Sequence, residues 1–401
     1  MVDGFDNQAS AFAAPALMVQ WHVARAVLGP VFAASAFGTL AGSLLIGPLG
    51  DLLGRKTLIV LSLVLAAALM ALTGSVHTLP QLIAVRFLTG LPLGALIPGT
   101  IVIANEWSPA KSRAAMVTIM ACGFALGAVL GGLLSSVLLP RYGWPSVFHA
   151  GAAATTLIAA AVLLWLPESL RYLALRPNTR NDARAGAILQ RFRPATGPLA
   201  AEPQPKDANL VLDLFADGRA PVTLLLWIAF FMNLLVLNFM TFWLPTLLGM
   251  TGLSPAVAIR MSTLFQFGGI AGVVLMGSFA RSLGAWRLVL GGSLLAALAV
   301  ALVGLLKGGA TIAAAGFFVI GVQMTLSALA ATLYPTAIRA TGTSWAQGIG
   351  RIGSTLGPLA GTVLLGWHWP LSQLFAAMAV FPLLGLAATF VLTRRLPREA
   401  A

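Results

Sequence analysis

The chain has 401 residues, of which 59% are hydrophobic and only 9% are charged, and its formal net charge is +13. This small number of polar side chains cannot cover the surface of a water-soluble globule of this size. The composition therefore predicts a polytopic membrane protein and excludes a soluble enzyme. The positive charge does not indicate nucleic-acid binding, because the basic residues stand in short intervals between apolar runs and form no basic block interleaved with aromatics.

Twelve runs along the chain are long enough to cross a bilayer, whose hydrocarbon core of roughly 30 Å requires about 20 helical residues. Six precede a polar interval and six follow it. In chain order the predicted spans are 3–21, 26–49, 58–76, 79–105, 114–139, 145–166, 221–248, 255–280, 286–306, 310–333, 342–365 and 370–391. The predicted fold is therefore all-helical, with an N-terminal half at 1–167, a cytoplasmic linker at 168–220, a C-terminal half at 221–394 and a tail at 395–401.

The linker is rich in arginine and proline and contains one short amphipathic segment at 182–192, with Asn181 as its N-cap. We interpret this segment as a helix lying along the membrane or the inner face of the bundle. An interval of this length and composition is too small for a soluble enzyme domain.

The basic residues also predict the orientation of the chain. If Arg55 and Lys56 are cytoplasmic, the same side collects eighteen of the 24 lysines and arginines. Because cytoplasmic loops carry the excess of basic residues, the sequence predicts a cytoplasmic linker and a cytoplasmic C-terminus.

The two sets of six spans are a parallel repeat, a common origin of this layout in transporters. A shift of 230 positions superposes glycines of the second span and of the turn after it on those of the eighth span and its turn, namely Gly42, Gly47 and Gly54 on Gly272, Gly277 and Gly284. Residues that break the match are where function is expected. Asp3 falls on Asn233 and Asp6 on Val236, while Arg351 falls on Ala125 after a shift of 226.

The segment GPLGDLLGRK at 47–56 ends the second span. Its glycines permit close packing and a tight turn, and Asp51 can meet the positive end of a neighbouring helix dipole. The segment resembles the signature loop of the major facilitator superfamily, although Leu52 replaces the basic residue usual after that aspartate. We predict a cytoplasmic gate in which this loop meets the end of the fourth span; its residues are Gly47, Asp51, Gly54, Arg55, Glu106 and Arg113. The alternative is a solvated charge cluster that contributes little.

Two aspartates of the first span and two arginines, Arg86 and Arg351, are the charged residues predicted to lie at membrane depth, whereas Arg260 and Arg287 stand at the ends of their spans. Such residues are costly in a bilayer and by default mark a substrate or proton pathway. Asp3 and Asp6 are candidate proton sites, with Asp6 one turn deeper, and Arg351 is a candidate partner for a substrate carboxylate or for the proton site. For Arg86 the competing interpretation is a side chain that extends to the interface.

Aromatic and amide side chains complete the candidate substrate set. Phe124 and Trp243 can stack on a ring-bearing substrate, although a single aromatic residue in a membrane helix is more often core or lipid-facing. Gln347 and Asn238 are the added polar candidates.

Several segments together resemble the aromatic acid:proton symporter family of the major facilitator superfamily. They include DGFDNQASAFAAPAL, RFLTGLPLGALIPGTIVIANEWSPAKSR, PESLRYL and YPTAIRATGTSWAQGIGRIGSTLGPLAG, and the resemblance covers nearly the whole chain. It implies proton-driven uptake of benzoate-like or hydroxybenzoate-like carboxylates. It also implies that Asp3 and Asp6 are tied to transport and that Arg86 and Arg351 are the intramembrane basic residues.

The expected function is therefore alternating-access symport of a small organic acid with protons, by a monomer without cofactor or metal. The alternatives are a symporter of another small organic acid or metabolite, a proton-coupled drug exporter, and a non-transporting sensor. The single cysteine, Cys122, excludes an intrachain disulfide and a cysteine metal cluster, and no set of residues in a suitable context indicates enzyme chemistry.

The repeat also carries an expectation about the first span. Met1 aligns with Phe231, and the seventh span has ten further residues before that point. By its own internal symmetry the first span is expected to be truncated at its N-terminus, which predicts either a true start that lies upstream or a truncated and weakly functional protein.

Overall fold

The computed structural model describes residues 1–108, 113–169, 172–173, 211–335, 338–367 and 369–395. The predicted linker helix at 182–192 and the tail after 395 lie outside these residues. The side chains of Asp51 and Arg113 also lie outside the described part.

Twelve long helices, six before the linker and six after it, account for nearly all of the described residues. They are α1 (Val2–Trp21), α2 (Leu28–Leu45), α3 (Arg55–Thr73), α4 (Leu79–Trp107), α5 (Arg113–Tyr142), α6 (Pro145–Trp165), α7 (Ala220–Gly249), α8 (Pro255–Leu283), α9 (Ala285–Leu306), α10 (Gly309–Leu333), α11 (Arg339–Gly366) and α12 (Leu371–Arg395). The prediction of twelve helices is confirmed, with boundaries within a few residues. Short helical turns occupy Gly47–Leu49, Gly50–Leu53 and Leu212–Leu214.

Two glycines of the repeat have the same local structure. Gly54 precedes α3 with φ +97° and Gly284 precedes α9 with φ +85°, both in a region of backbone space that glycine enters without steric cost. Each therefore permits the tight turn between the second and third helix of its half.

Ten of the twelve described helices are long and apolar enough to span a membrane. The two that fall short are α1 and α11. Helix α1 carries Asp3 and Asp6, and helix α11 carries Gln347 and Arg351. Three of the four candidate charges thus lie on these two helices, and the fourth, Arg86, lies on the apolar helix α4.

The described chain divides into two compact units. The first contains Met1–Asp6, Ala34–Gly127 and Tyr142–Pro203, and the second contains Asn7–Ala33, Ala128–Arg141 and Gln204–Ala401, within the limits of the described residues. Helices α1, α2 and α5 contribute residues to both units.

Glycines bring α2 and α4 together in the first unit. A Cβ atom added to Gly38 would overlap the carbonyl oxygen of Phe87, and one added to Gly90 would overlap that of Ser35. The two backbones are therefore in direct contact, as small residues allow in membrane helices. Elsewhere in this unit, apolar side chains of α3, α4 and α6 form a buried cluster that includes Leu63, Leu93 and Ala159.

In the second unit, α7 and α11 approach each other in the same way. Gly353 lies against the carbonyl group of Phe231, and Gly357 lies against that of Leu235. A buried cluster that includes Leu226, Phe230 and Tyr334 extends this contact. The regular glycines of α11 therefore have a packing explanation.

Candidate functional site

A buried ion pair between α1 and α4 dominates the first unit. Arg86 Nη1 donates to Asp6 Oδ1 at 2.8 Å, and Nη2 donates to Oδ2 at 2.5 Å. The exposed fractions of the two side chains are 1% for Arg86 and 0% for Asp6. The planar guanidinium matches the two carboxylate oxygens, which is the geometry that makes arginine suited to buried pairs. The guanidinium is thus held against Asp6 and does not extend to a membrane interface.

Two further side chains contact the same guanidinium. Arg86 Nη2 donates to the hydroxyl of Ser35 on α2 at 3.2 Å. The Arg86 Cζ atom lies 5.7 Å from the centroid of the Phe148 ring on α6. Four helices therefore meet at this arginine.

The other candidates of the first unit are less buried. Asp3 lies one turn before Asp6 and is half-buried, as is Phe124 on α5. Asp6 is therefore the acidic residue at the centre of this site, and Asp3 lies beside it on the same helix.

In the second unit, Gln347 and Arg351 lie one turn apart on α11, on the same side of the helix. Gln347 is exposed and Arg351 is half-buried. This pair presents an amide and a guanidinium together, a combination that can bind a carboxylate.

Trp243 and Asn238 have partners that account for their positions. Trp243 is fully buried, and its indole N–H donates to the carbonyl oxygen of Pro358 at 2.9 Å. Phe32 packs edge-on against the Trp243 ring, with the ring centroids 5.6 Å apart. Asn238 Nδ2 donates to the carbonyl oxygen of Leu234, in its own helix, at 3.0 Å.

The structure also reveals buried amide contacts that the sequence analysis did not identify. Asn233 on α7 donates to Gln323 Oε1 on α10 at 2.8 Å and to the carbonyl oxygen of Val319 at 3.1 Å. Gln8 contacts the carbonyl oxygen of Thr241 and the amide of Gln266, each at 3.4 Å. The only signal in the sequence was the repeat, which aligned Asn233 with Asp3.

The predicted gate region lies at the ends of α2, α3 and α4. Gly47 is buried, and Gly54 makes the turn into α3. The Arg55 side chain lies over Gly50, and Glu106 is half-buried at the end of α4. Glu168, from the PESLRYL segment, accepts a hydrogen bond from the backbone N–H of Lys56 at 2.9 Å. That carboxylate caps the first turn of α3, where the helix dipole favours an anion.

A groove in the first unit does not offer a polar site. It has a volume of about 710 Å³ and lies between α2 and α4, with apolar side chains such as Phe37 and Phe87 along its walls. Among the described residues, no three His, Cys, Asp or Glu side chains are grouped as a metal site would require.

Comparison with known sequences identified one family and several relatives. Residues 1–327 match the Major Facilitator Superfamily. The 4-hydroxybenzoate transporter of Pseudomonas aeruginosa is 38% identical, with 97% of this chain and 89% of the relative covered. A gallate transporter of Pseudomonas putida is 38% identical over 95% of this chain and 86% of the relative. A benzoate transport protein of Acinetobacter baylyi is 28% identical over 98% and 87%.

Solved structures show the same arrangement of helices. A bacterial homologue of the human lysosomal transporter Spinster superposes with a TM-score of 0.74 at 17% identity and covers 98% of this chain and 94% of that chain. The D-xylose–proton symporter gives a TM-score of 0.70 at 16% identity, with coverages of 99% and 95%. At these identities the likeness concerns the fold alone.

Proposed function

The chain belongs to the Major Facilitator Superfamily, and on that premise we propose that it is a symporter that imports an aromatic carboxylate together with protons. The substrate class rests on the relatives, whose names specify 4-hydroxybenzoate, gallate and benzoate transport. The chain is a multi-pass membrane protein. We place it in the cell (inner) membrane as a monomer with a cytoplasmic C-terminus, because the basic residues concentrate on that side.

The observation that carries the proposal is the buried Asp6–Arg86 pair. Arginine stays charged in proteins, so Asp6 is the member of the pair that exchanges a proton. When a proton binds to Asp6, the carboxylate loses its negative charge and Arg86 is left as a buried cation. A buried cation without a counter-ion is strongly unfavourable, so the site then favours another anion.

In the proposed cycle, the carboxylate of the substrate is that anion. Besides its contacts to Asp6, Arg86 has a buried Nε–H that finds no acceptor among the described residues, so the guanidinium retains a donor for an incoming oxygen. Proton and substrate are then coupled because the charge of Asp6 and the charge of the substrate compete for one arginine. Release of the proton restores the Asp6–Arg86 pair and expels the carboxylate.

Arg351 and Gln347 are proposed as the substrate contacts of the second unit, because they present a guanidinium and an amide on one side of α11. Phe124 remains a candidate for stacking on the substrate ring. Trp243 and Asn238 are assigned packing roles here, because their donors are engaged with Pro358 and Leu234.

The gate proposal keeps Gly47, Asp51, Gly54, Arg55, Glu106 and Arg113 and adds Glu168. The added residue is supported by its hydrogen bond to the start of α3. In this proposal the loop and the ends of α3 and α4 move when the cytoplasmic side opens.

The test is uptake of labelled 4-hydroxybenzoate into proteoliposomes with an imposed proton gradient. The wild-type protein should concentrate the label, and Asp6→Asn and Arg351→Ala should each abolish gradient-driven accumulation. Two variants serve as matched controls: Val19→Ala, at an exposed position on the same helix as Asp6, and Asn238→Ala, in the same unit as Arg351.

A competition panel separates the substrate classes. Benzoate, gallate and 4-hydroxybenzoate should compete with the label, whereas short aliphatic acids should not. If only the aliphatic acids competed, the assigned substrate would be another organic acid and not an aromatic carboxylate. Gradient-dependent efflux of cationic drugs, with full activity in both variants, would contradict the proposal and favour the exporter.

A further inference from the structure

The guanidinium of Arg86 sits in a three-sided environment of which Asp6 forms only one wall. Ser35 on α2 and Phe148 on α6 form the other two, through a hydrogen bond and a cation–π contact. The 5.7 Å separation between Arg86 Cζ and the ring centroid is within the range in which such contacts are attractive. Ser35 and Phe148 are both about 1% exposed, so neither contact is weakened by water.

The packing of the helices fixes both walls. Ser35 reaches Arg86 because Gly38 and Gly90 let the backbones of α2 and α4 touch at this level. On the other side, a Cβ atom at Gly151 would lie 2.5 Å from the ring of Phe5, so α6 lies directly against α1. Phe148 is one turn before Gly151, and its ring is held edge-on by Trp144 at a centroid distance of 6.0 Å. Neither wall depends on the charge of Asp6.

We propose that Ser35 and Phe148 are positioning residues that hold the Arg86 guanidinium in place while Asp6 is protonated and before the substrate carboxylate arrives. This inference rests on the proton step proposed above and specifies what that step requires. Without a second set of contacts, a neutral Asp6 would leave a buried cation oriented only by the remaining acceptor oxygen of that carboxyl group. With them, the arginine keeps one hydrogen bond and one ring contact and remains aimed at the binding position.

The titratable groups on α1, α2, α4 and α6 do not replace Ser35 and Phe148 as contacts of a guanidinium beside a neutral Asp6. They are Asp3 and Asp6 on α1, Glu106 near the end of α4 and His149 on α6, while α2 carries none. His149 is exposed, and its imidazole lies against Gly74. Glu106 is twenty residues after Arg86 on the same helix, or about 30 Å along it.

The experiment measures thermal unfolding of four purified proteins in nanodiscs: the wild type, Ser35→Ala, Asp6→Asn, and the double variant. Asparagine stands in for the protonated aspartate. In the wild type Asp6 holds Arg86, so Ser35→Ala should lower the melting temperature only slightly. In the Asp6→Asn background the same change removes the hydroxyl that remains, so the decrease should be at least twice as large.

Equal decreases in the two backgrounds would overturn the inference, because a hydroxyl with only a packing role is indifferent to the charge at Asp6. Ser35→Thr keeps the hydroxyl and should restore most of the loss. Ser43→Ala is the matched control, because the Ser43 hydroxyl bonds to the Leu40 carbonyl of its own helix. Phe148→Leu should likewise lower the melting temperature more in the Asp6→Asn background than in the wild type. Phe148→Tyr keeps the ring and should restore most of the loss. Phe87→Leu, at an exposed position, is the control.

A second background covers the case in which Asp6→Asn does not fold. In Arg86→Gln the cation is gone, so Ser35→Ala and Phe148→Leu should each have less effect than in the wild type. An undiminished effect would overturn the inference. These readouts need no transport, so a failure of the transport proposal leaves this result interpretable, and a failure here leaves uptake by Asp6 and Arg351 testable.

Discussion

The two halves of the chain each contain a buried polar link between their first and fourth helices. In the N-terminal half it joins Asp6 on α1 to Arg86 on α4, and in the C-terminal half it joins Asn233 on α7 to Gln323 on α10. Under the repeat, Asn233 corresponds to Asp3, one turn from Asp6. The link joins the corresponding pair of helices in both halves, but it is ionic in one and neutral in the other.

This difference indicates a division of labour between two copies of one scaffold. An amide neither gains nor loses a proton in the physiological range, so the Asn233–Gln323 contact has the same charge throughout any cycle. In the cycle proposed above, Asp6 changes its charge, and each change alters what Arg86 must bind. We therefore expect the proton chemistry to lie in the N-terminal half and the amide link to stabilise the C-terminal half without taking part in coupling.

The largest effect should come from breaking the ionic link. Asp6→Ala leaves Arg86 as a buried cation, so the free energy of unfolding should fall by about 3–5 kcal/mol and uptake should fall to background. Chemical denaturation and proteoliposome uptake measure the two quantities. Val19→Ala, at an exposed position of α1, is the control, and a variant of Asp6 as stable and as active as that control would contradict the assignment.

Converting the ionic link into a copy of the neutral one should separate stability from coupling. The double variant Asp6→Asn, Arg86→Gln contains no buried charge, so much of the stability lost in Asp6→Ala should return. Gradient-driven accumulation should remain absent, because the link can no longer exchange a proton. Accumulation at the wild-type level by this variant would show that coupling lies elsewhere.

Breaking the neutral link should have a smaller and purely structural effect. Asn233→Ala leaves the amide of Gln323 short of a partner and should cost about 1–3 kcal/mol of unfolding free energy. Uptake per folded molecule should be unchanged. Asn238→Ala is the matched control, because its hydrogen bond stays within α7. A specific loss of proton coupling in Asn233→Ala would contradict the division of labour.

The smallest effect is expected at Trp243, a second fixed contact of the C-terminal half. Trp243→Phe removes the indole N–H that bonds to Pro358 and should lower the free energy of unfolding by about 1 kcal/mol, with substrate affinity unchanged. The exposed Trp345 provides the control in Trp345→Phe. A large rise in the KM for 4-hydroxybenzoate in Trp243→Phe alone would return Trp243 to the substrate site.

The helices and their number could be predicted from the sequence because bilayer thickness imposes one length on every span and because apolar composition marks each of them. The repeat could also be identified from the sequence, and its glycines at 54 and 284 have matching backbone conformations. The four intramembrane charges were identifiable for a related reason: charge in a bilayer is so costly that its presence is itself a signal.

The sequence alone could not decide which charges meet. Two aspartates and two arginines allow several pairings, and Asp6 is separated from Arg86 by 80 positions, so only the packing of α1 against α4 selects this pair. The neutral partners escaped notice altogether, because serine, asparagine and phenylalanine are ordinary residues in a helix. Ser35 acquires its role only because Gly38 and Gly90 bring the backbones of α2 and α4 close enough for a short side chain to reach across. Phe148 and Asn233 acquire theirs only because the fold places Arg86 and Gln323 beside them. Charge and hydropathy are properties of a residue, whereas the orientation of a buried charge depends on the neighbours that the fold places around it.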